Sequence, residues 1–388
     1  MFYLKEIVSE KKIIFRPDWE FDANVGKSLL QKRLNITFLN ALELSNNFSA
    51  LESIGSLITY AEKNIGKPLL LLRLPQKFFQ SETVIIDASA QKALELKKPL
   101  FDEDKKNITL IACLDQCKTS GGSRELRKWM LSPLISNKDL KKRQKSIIWI
   151  SKNIFLHQVL TGVIDICRIA GRISLGNTSP RELNTLALNL KKMVEISQSI
   201  EDIEDYNIKK IYKNFSDSES ELIINTIQNY LSEDPPVKVK QGNFIRNGFD
   251  KSLDDLRKIK TDISNFLSKL ELDEREKSKI SNLKIGFSPV HGYYFEVTQS
   301  QKNKVPEHYH RKQTLKNSER YTTIKLRELE EKILSAKDKS IERENIIFQN
   351  LLIELRKHIN FLFRLSDSVN LLDALTSLAL KISEKKWV

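Results

Sequence analysis

Apolar residues recur along most of this chain at steps of three and four positions, the spacing that places them on one face of a helix. The pattern predicts helices in residues 24–34 and 48–64 and a series of helices from 107 to about 232. Prolines punctuate that series, as expected where a proline ends or begins a helix, at Pro133, Pro180 and the pair Pro235-Pro236. The pattern therefore indicates a mainly α fold.

Two later apolar stripes are longer than the others. One covers residues 249–270 and the other covers 326–363. Read as one helix, the second would run for about 40 residues, or about 60 Å at 1.5 Å per residue. Helices of that length are stable in water when an apolar face packs on a partner, so each stripe predicts contact with the other or with a neighbouring bundle.

Residues 283–322, between the two stripes, read as β-structure. Strand-forming residues alternate with others in two runs, at Ile285, Phe287, Tyr293, Phe295 and Val297. Pro289 and the pair His291-Gly292 separate the runs. A compact β module here requires the flanking helices to leave and return to one place, which predicts a long antiparallel helical arm that carries a small antiparallel sheet. A further short strand is predicted at 83–87.

The composition favours an anionic partner. Lys and Arg total 64 against 50 Asp and Glu, a net charge of +14. Three cysteines, an odd and small number, indicate a reducing compartment. No apolar run reaches the length of about 18 residues that a membrane span needs, and the start lacks a signal-peptide layout. We therefore expect a cytoplasmic protein that uses no membrane.

The basic charge is concentrated in the β module. Between 302 and 320 two acids, Glu307 and Glu319, face six cations, namely Lys302, Lys304, Arg311, Lys312, Lys316 and Arg320. Hydrogen-bonding groups accompany them at Tyr309, Gln313, Thr314, Asn317 and Ser318. Such a set suits phosphate oxygens, which Lys, Arg and polar side chains contact without reading bases. A solvated basic loop is the alternative, and the place of the stretch at the end of an arm favours nucleic acid.

Other chemical signals are weaker. Gly26-Lys27-Ser28 resembles the end of a nucleotide-binding loop, but Phe21 occupies the position where that loop needs a glycine, so a helix start is predicted. The histidines near Glu307 lack a ligand spacing. Cys113 and Cys117 are expected to be small core residues. The sequence predicts no catalytic, cofactor-binding or metal-binding residue, and no enzymatic activity of this chain by itself.

Residues 114–134 resemble a signature of the MutS family of DNA mismatch-repair proteins. The matching positions are Leu114, Asp115, Thr119, Gly122, Ser123, Arg124, Leu126, Trp129 and Pro133. Other stretches also resemble the family, and all of them occur in the family's order along the chain. They are 15–63 with Trp19-Glu20-Phe21, 165–172, 180–183, 291–294 and 311–317. A cysteine, Cys117, stands where many members have threonine.

The resemblance implies a domain organisation and roles for the residues. It implies the end of a connector domain at 1–67, a core or lever domain at 68–261 and 325–388, and a clamp domain at 262–324. The clamp would close over the DNA backbone through Arg311, Lys312, Lys316 and Asn317. Together with the charge pattern, this gives a predicted DNA-binding set of Lys302, Lys304, Tyr309, Arg311, Lys312, Gln313, Lys316, Asn317 and Arg320.

The family also implies partners. Double-stranded DNA, a MutL-type repair protein and a homodimer of the full-length protein are expected, with the isolated chain monomeric and associated with the nucleoid. The family's mismatch-reading and ATPase domains are expected to lie outside this chain, so ATP and magnesium are expected there. The alternative function is a structural lever that transmits motion between those domains with no DNA affinity of its own.

Overall fold

The computed structural model describes residues 15–34, 36, 44, 47–69, 72–73, 75, 82–97, 99, 109–199, 203–288, 290 and 292–385. The described residues are mainly helical and contain one small antiparallel sheet, which confirms the predicted fold class. The chain divides into two compact units. The first unit holds residues up to 178, 188–224 and those from 354 on, and the second holds 179–187 and 225–353.

The helices are, in chain order, α1 (Ala23–Leu34), α2 (Phe48–Ile65), α3 (Ala88–Ala93), α4 (Leu110–Leu114), α5 (Ser120–Leu131), α6 (Asn137–Ser151), α7 (Phe155–Val159), α8 (Ile166–Leu175), α9 (Pro180–Gln198), α10 (Tyr206–Phe215), α11 (Ser218–Tyr230), α12 (Lys251–Ser278), α13 (Ile324–Arg356) and α14 (Ile359–Lys385). The strands are β1 (Lys284–Ser288), β2 (Gly292–Thr298), β3 (His310–Thr314) and β4 (Ser318–Thr322). Short 3-10 turns include one at Gln299–Lys304.

In the first unit, several helices pack around α14. It contacts α5, α6, α8 and α10, and Phe361, Leu365 and Leu372 on it are at most 2 % exposed. A helix that is apolar on most of its circumference is stable only inside a protein, so α14 forms the centre of this core. Five polar residues of α14 are buried as well, and one of them is an acid: Ser366, Ser368, Asp373, Thr376 and Ser377.

At the start of the first unit, α1 and α2 approach closely at two glycines. A Cβ on Gly26 would lie 2.0 Å from the Leu51 carbonyl oxygen, and one on Gly55 would lie 2.6 Å from the Gly26 Cα. The missing side chains allow the two backbones to touch. Gly26 therefore lies within a helix and serves helix contact, in agreement with its interpretation as part of a helix start.

The second unit is built from α12, α13 and the sheet. Near the N-terminus of α12, the Arg343 Nη2 atom of α13 lies 2.6 Å from an Asp250 carboxylate oxygen. Farther along, Leu270 of α12 and Leu326 of α13 belong to one buried cluster under the sheet. The residue numbers rise on one helix as they fall on the other, so α12 and α13 are antiparallel, as predicted.

Two predicted elements differ from the structure. Residues 83–87 form no strand, and Thr83 makes an isolated bridge to Leu134. The bridge does not extend into a ladder because Pro133, the residue before Leu134, has no N–H to donate. The predicted helix over 326–363 is two helices, since α13 ends at Arg356 and α14 begins at Ile359. No proline or glycine marks this break.

The predicted domain boundaries stay predictions. The sheet lies within the stretch 262–324 assigned to the clamp. In the stretch 1–67 assigned to the connector, residues 1–14, 35, 37–43, 45 and 46 lie outside the described residues.

Candidate nucleic-acid interface

The candidate interface is carried by the four-stranded sheet of the second unit. Its strand order is β1-β2-β4-β3, and each neighbouring pair is antiparallel. One face of the sheet is apolar because alternate strand residues, among them Phe295, Val297 and Tyr321, are buried with Leu270 of α12 and Leu326 of α13. The two helices thus pack against one face of the sheet, and loops and edge residues of the sheet remain exposed.

Two separate stretches of cations meet at one edge of this sheet. The Gln299 N–H at the start of the 3-10 turn donates to the Asn317 carbonyl oxygen at 3.2 Å. The β3–β4 turn is closed by the Leu315 N–H, which donates to the Ser318 carbonyl oxygen at 2.9 Å. These bonds place the 3-10 turn, with Lys302 and Lys304, beside the exposed turn that carries Lys316 and Asn317.

A buried carboxylate holds two of the cations. The Glu319 side chain is 3 % exposed, and its Oε1 lies 2.7 Å from the Lys302 Nζ and 3.9 Å from the Arg311 Nη1. Its Oε2 accepts a hydrogen bond from the Tyr321 hydroxyl. The hydrogen bond from Lys302 is the main cause that lowers the pKa of Glu319, so this carboxylate is charged at neutral pH.

Three other predicted residues are half-buried and have partners inside the protein. The Arg320 guanidinium lies over the Tyr294 ring, 4.2 Å from its centroid, and its Nη1 donates to the Gln313 Oε1 at 2.9 Å. The Lys312 Nζ donates to the Tyr293 carbonyl oxygen at 3.3 Å and lies 3.7 Å from a Glu330 carboxylate oxygen. These contacts hold the three side chains against the sheet.

Tyr309 differs from the rest of the predicted set. It is 6 % exposed, its ring stacks on Phe295 with centroids 5.2 Å apart, and its hydroxyl donates to the Glu274 Oε2 at 2.9 Å. Burial is the main cause that raises its pKa. Tyr309 therefore belongs to the buried apolar cluster under the sheet, and we leave it out of the set of DNA contacts proposed below.

The structure therefore sorts the nine predicted residues into three groups. The exposed group consists of Lys302, Lys304, Arg311, Lys316 and Asn317; the half-buried group consists of Lys312, Gln313 and Arg320; and Tyr309 is buried. Sequence reasoning treated Glu319 only as an acid that opposes the cations. The alternation in Ser318-Glu319-Arg320-Tyr321 could have placed Glu319 on the face of Tyr321, but its pairing with Lys302 depends on the folded 3-10 turn.

The stretch 114–134 has a structural explanation in the first unit. Thr119 caps the N-terminus of α5 by accepting from the Gly122 N–H at 2.9 Å. A Cβ at Gly121 would lie 1.8 Å from an Asn370 side-chain atom, and a Cβ at Gly122 would lie 2.2 Å from an Asp373 carboxylate oxygen. The two glycines thus let α14 approach the end of α5. Cys113 is exposed and Cys117 is partly buried outside a helix, which corrects the expectation of two core residues.

Within the described ranges, no group of three or more His, Cys, Asp or Glu side chains is arranged to hold a metal ion. His308 lies 4.0 Å from a Glu274 oxygen and is mostly exposed. His291 lies outside the described residues.

In chain order, one small antiparallel sheet with exposed cations lies between the long helices α12 and α13. Comparison with family models matches residues 89–379 to MutS domain III. This match covers most of the chain, and the chain therefore belongs to the MutS family and is a MutS-like mismatch-repair protein. None of the helices in the described part of the chain is both long and apolar enough to cross a membrane.

Proposed function

We propose that this chain binds the backbone of duplex DNA through the exposed cations at the edge of its sheet, as the clamp and lever part of a mismatch-repair protein. The observation that carries the proposal is the meeting of Lys302 and Lys304 with Arg311, Lys316 and Asn317. These residues come from two stretches that are joined at one edge. Lysine, arginine and amide groups without an aromatic or shape-selective pocket suit phosphates and do not read base sequence.

The charges available to DNA support this assignment. In the part of the chain that the structure describes, no carboxylate lies within ion-pair distance of Lys316, and Lys304 contacts only the Lys279 carbonyl oxygen, at 3.4 Å. Lys302 and Arg311 share one carboxylate. The edge therefore keeps a net positive charge, and phosphate binding would release the counterions that make such complexes sensitive to salt.

The test is a fluorescence-anisotropy titration of the full chain on matched and mismatched duplexes at two salt concentrations. The proposal expects similar affinity for both duplexes and a loss of affinity at high salt. Arg311→Glu with Lys316→Glu should weaken binding strongly and reduce the slope of log K against log salt by about two. Lys209→Glu with Lys210→Glu, on the exposed side of α10, makes the same change of net charge and should leave most of the affinity.

Failure of the wild-type chain to form a salt-sensitive complex at micromolar concentration would reject the proposal and favour the structural-lever alternative. We assign binding and no chemistry to this chain by itself; ATP hydrolysis by the pure chain would contradict that assignment. Within this proposal, ATP, magnesium, a MutL-type partner and the homodimer belong to a full-length protein of the family, and its place is the cytoplasm.

A further inference from the structure

Glu319 occupies an unusual position for an acid in a site that would bind phosphate. Its carboxylate lies under the cationic edge, 3 % exposed, and both of its oxygens are used. A buried carboxylate is costly unless it is paired and hydrogen-bonded. Here the Lys302 ammonium and the Tyr321 hydroxyl supply those bonds, so the acid is a fixed part of the fold rather than a loose surface group.

The two cations that approach Glu319 come from different elements. Lys302 lies on the 3-10 turn and Arg311 on β3, yet both contact the same Oε1 atom. Their side chains remain 47 % and 59 % exposed. The 3.9 Å contact of Arg311 is an ion pair too long to be a hydrogen bond, which leaves guanidinium donors available to an anion.

Free lysine and arginine side chains lose much rotamer freedom when they bind a phosphate. A carboxylate that already restricts them reduces that loss, which is the advantage of preorganisation in binding. The same carboxylate also cancels one positive charge. These effects have opposite signs, so the function of Glu319 can be decided by experiment.

We propose that Glu319 is a positioning residue for DNA binding, which holds Lys302 and Arg311 side by side so that together they bind one phosphate or two adjacent phosphates. The inference rests on the proposed function. Glu319→Gln adds one unit of positive charge, so affinity would rise if charge alone mattered. Positioning requires the opposite result, about a tenfold loss of duplex affinity.

The salt dependence separates positioning from a merely structural role. Glu319→Gln should reduce the slope of log K against log salt by about one, because one phosphate contact is lost despite the added charge. Tyr321→Phe keeps the ring and removes the hydroxyl bond to Glu319, and it should reduce this slope by a smaller amount. Glu328→Gln, an exposed position on α13, adds the same charge and should bind as well as wild type or better.

A second measurement does not depend on DNA. In the free protein, Glu319→Gln should speed amide hydrogen exchange in residues 299–304, because the tether from Lys302 to the sheet is lost. Affinity equal to or above wild type, or unchanged exchange in that turn, would overturn the positioning role. If the wild-type chain binds no duplex, the proposed function fails, whereas tight binding by Glu319→Gln with weak binding by Arg311→Glu/Lys316→Glu rejects only the role of Glu319.

Discussion

Asp373 accepts two hydrogen bonds from Thr119, one from its N–H at 2.7 Å and one from its hydroxyl at 2.6 Å. The Lys118 N–H donates to the other carboxylate oxygen at 2.9 Å. The carboxylate is 0 % exposed and lies where the N-terminus of α5 offers unpaired N–H groups. One acid of α14 therefore anchors the N-terminus of a helix whose capping residue lies 254 residues earlier in the chain.

Asp373→Ala should lower the free energy of unfolding by about 2–4 kcal/mol, because it leaves buried backbone N–H groups without acceptors. Chemical denaturation of the full chain measures the change. Asp367→Asn is the matched control, because its ion pair with Arg73 is largely exposed and pairs of that kind contribute about 0–1 kcal/mol. Equal losses in the two variants would contradict the anchoring role of Asp373.

Two aspartates should give opposite pH dependences of stability. The hydrogen bond from Arg343 lowers the pKa of Asp250 below its ordinary 3.8. The contribution of ionised Asp250 to the free energy of unfolding is therefore fully present above pH 3.8 and is lost as pH falls through the folded pKa. Burial raises the pKa of Asp373 above its ordinary 3.8. The contribution of protonated Asp373 to the free energy of unfolding is therefore fully present below pH 3.8 and is lost as pH rises through the folded pKa.

Unfolding curves between pH 3 and pH 7 test these signs. The stability difference between wild type and Asp250→Asn should grow as pH rises. The difference for Asp373→Asn should shrink over the same range. Slopes of the same sign for both variants would contradict the assignment of the two pKa shifts.

The sequence predicted the features that depend on neighbours along the chain. The stripes at 249–270 and 326–363 and the alternation around Phe295 identified the arm and its sheet. It did not predict the break after Arg356, which lacks a proline or glycine. It also missed the anchoring of Thr119 by Asp373 and of Lys302 by Glu319. These contacts depend on tertiary packing and on strand register, which no local pattern encodes.

Gly26→Ala should destabilise the contact of α1 with α2 by about 1–3 kcal/mol, because the added Cβ would overlap the Leu51 carbonyl oxygen. Thermal unfolding, or hydrogen exchange in residues 48–65, measures the loss. Gly171→Ala is the control: this helical glycine has no atom within 4 Å of an added Cβ, and alanine there should stabilise α8 by up to about 1 kcal/mol. Similar effects at both glycines would show that close contact is unimportant at Gly26.

Glu344 should be among the most sensitive residues of the second unit. Its side chain is 0 % exposed, it forms an ion pair with Arg257, and it accepts from the Asn243 N–H at 2.7 Å. Glu344→Ala should cost about 3–5 kcal/mol, because the Arg257 charge loses its buried partner. Arg257→Met combined with Glu344→Leu should recover much of that loss. A double-mutant cycle measured by denaturation tests this, and purely additive losses would contradict the coupling.

Tyr309→Phe distinguishes a core role from a DNA contact. The variant keeps the ring that stacks on Phe295 and removes the hydroxyl bond to Glu274, so stability should fall by about 1–2 kcal/mol. Duplex affinity and its salt slope should stay at the wild-type values, because the hydroxyl faces the protein interior. Lys316→Glu should show the converse, a loss of affinity with little change of stability, since this side chain is exposed and lies in the turn that closes β3 and β4. A marked loss of DNA affinity in Tyr309→Phe at unchanged stability would return Tyr309 to the contact set.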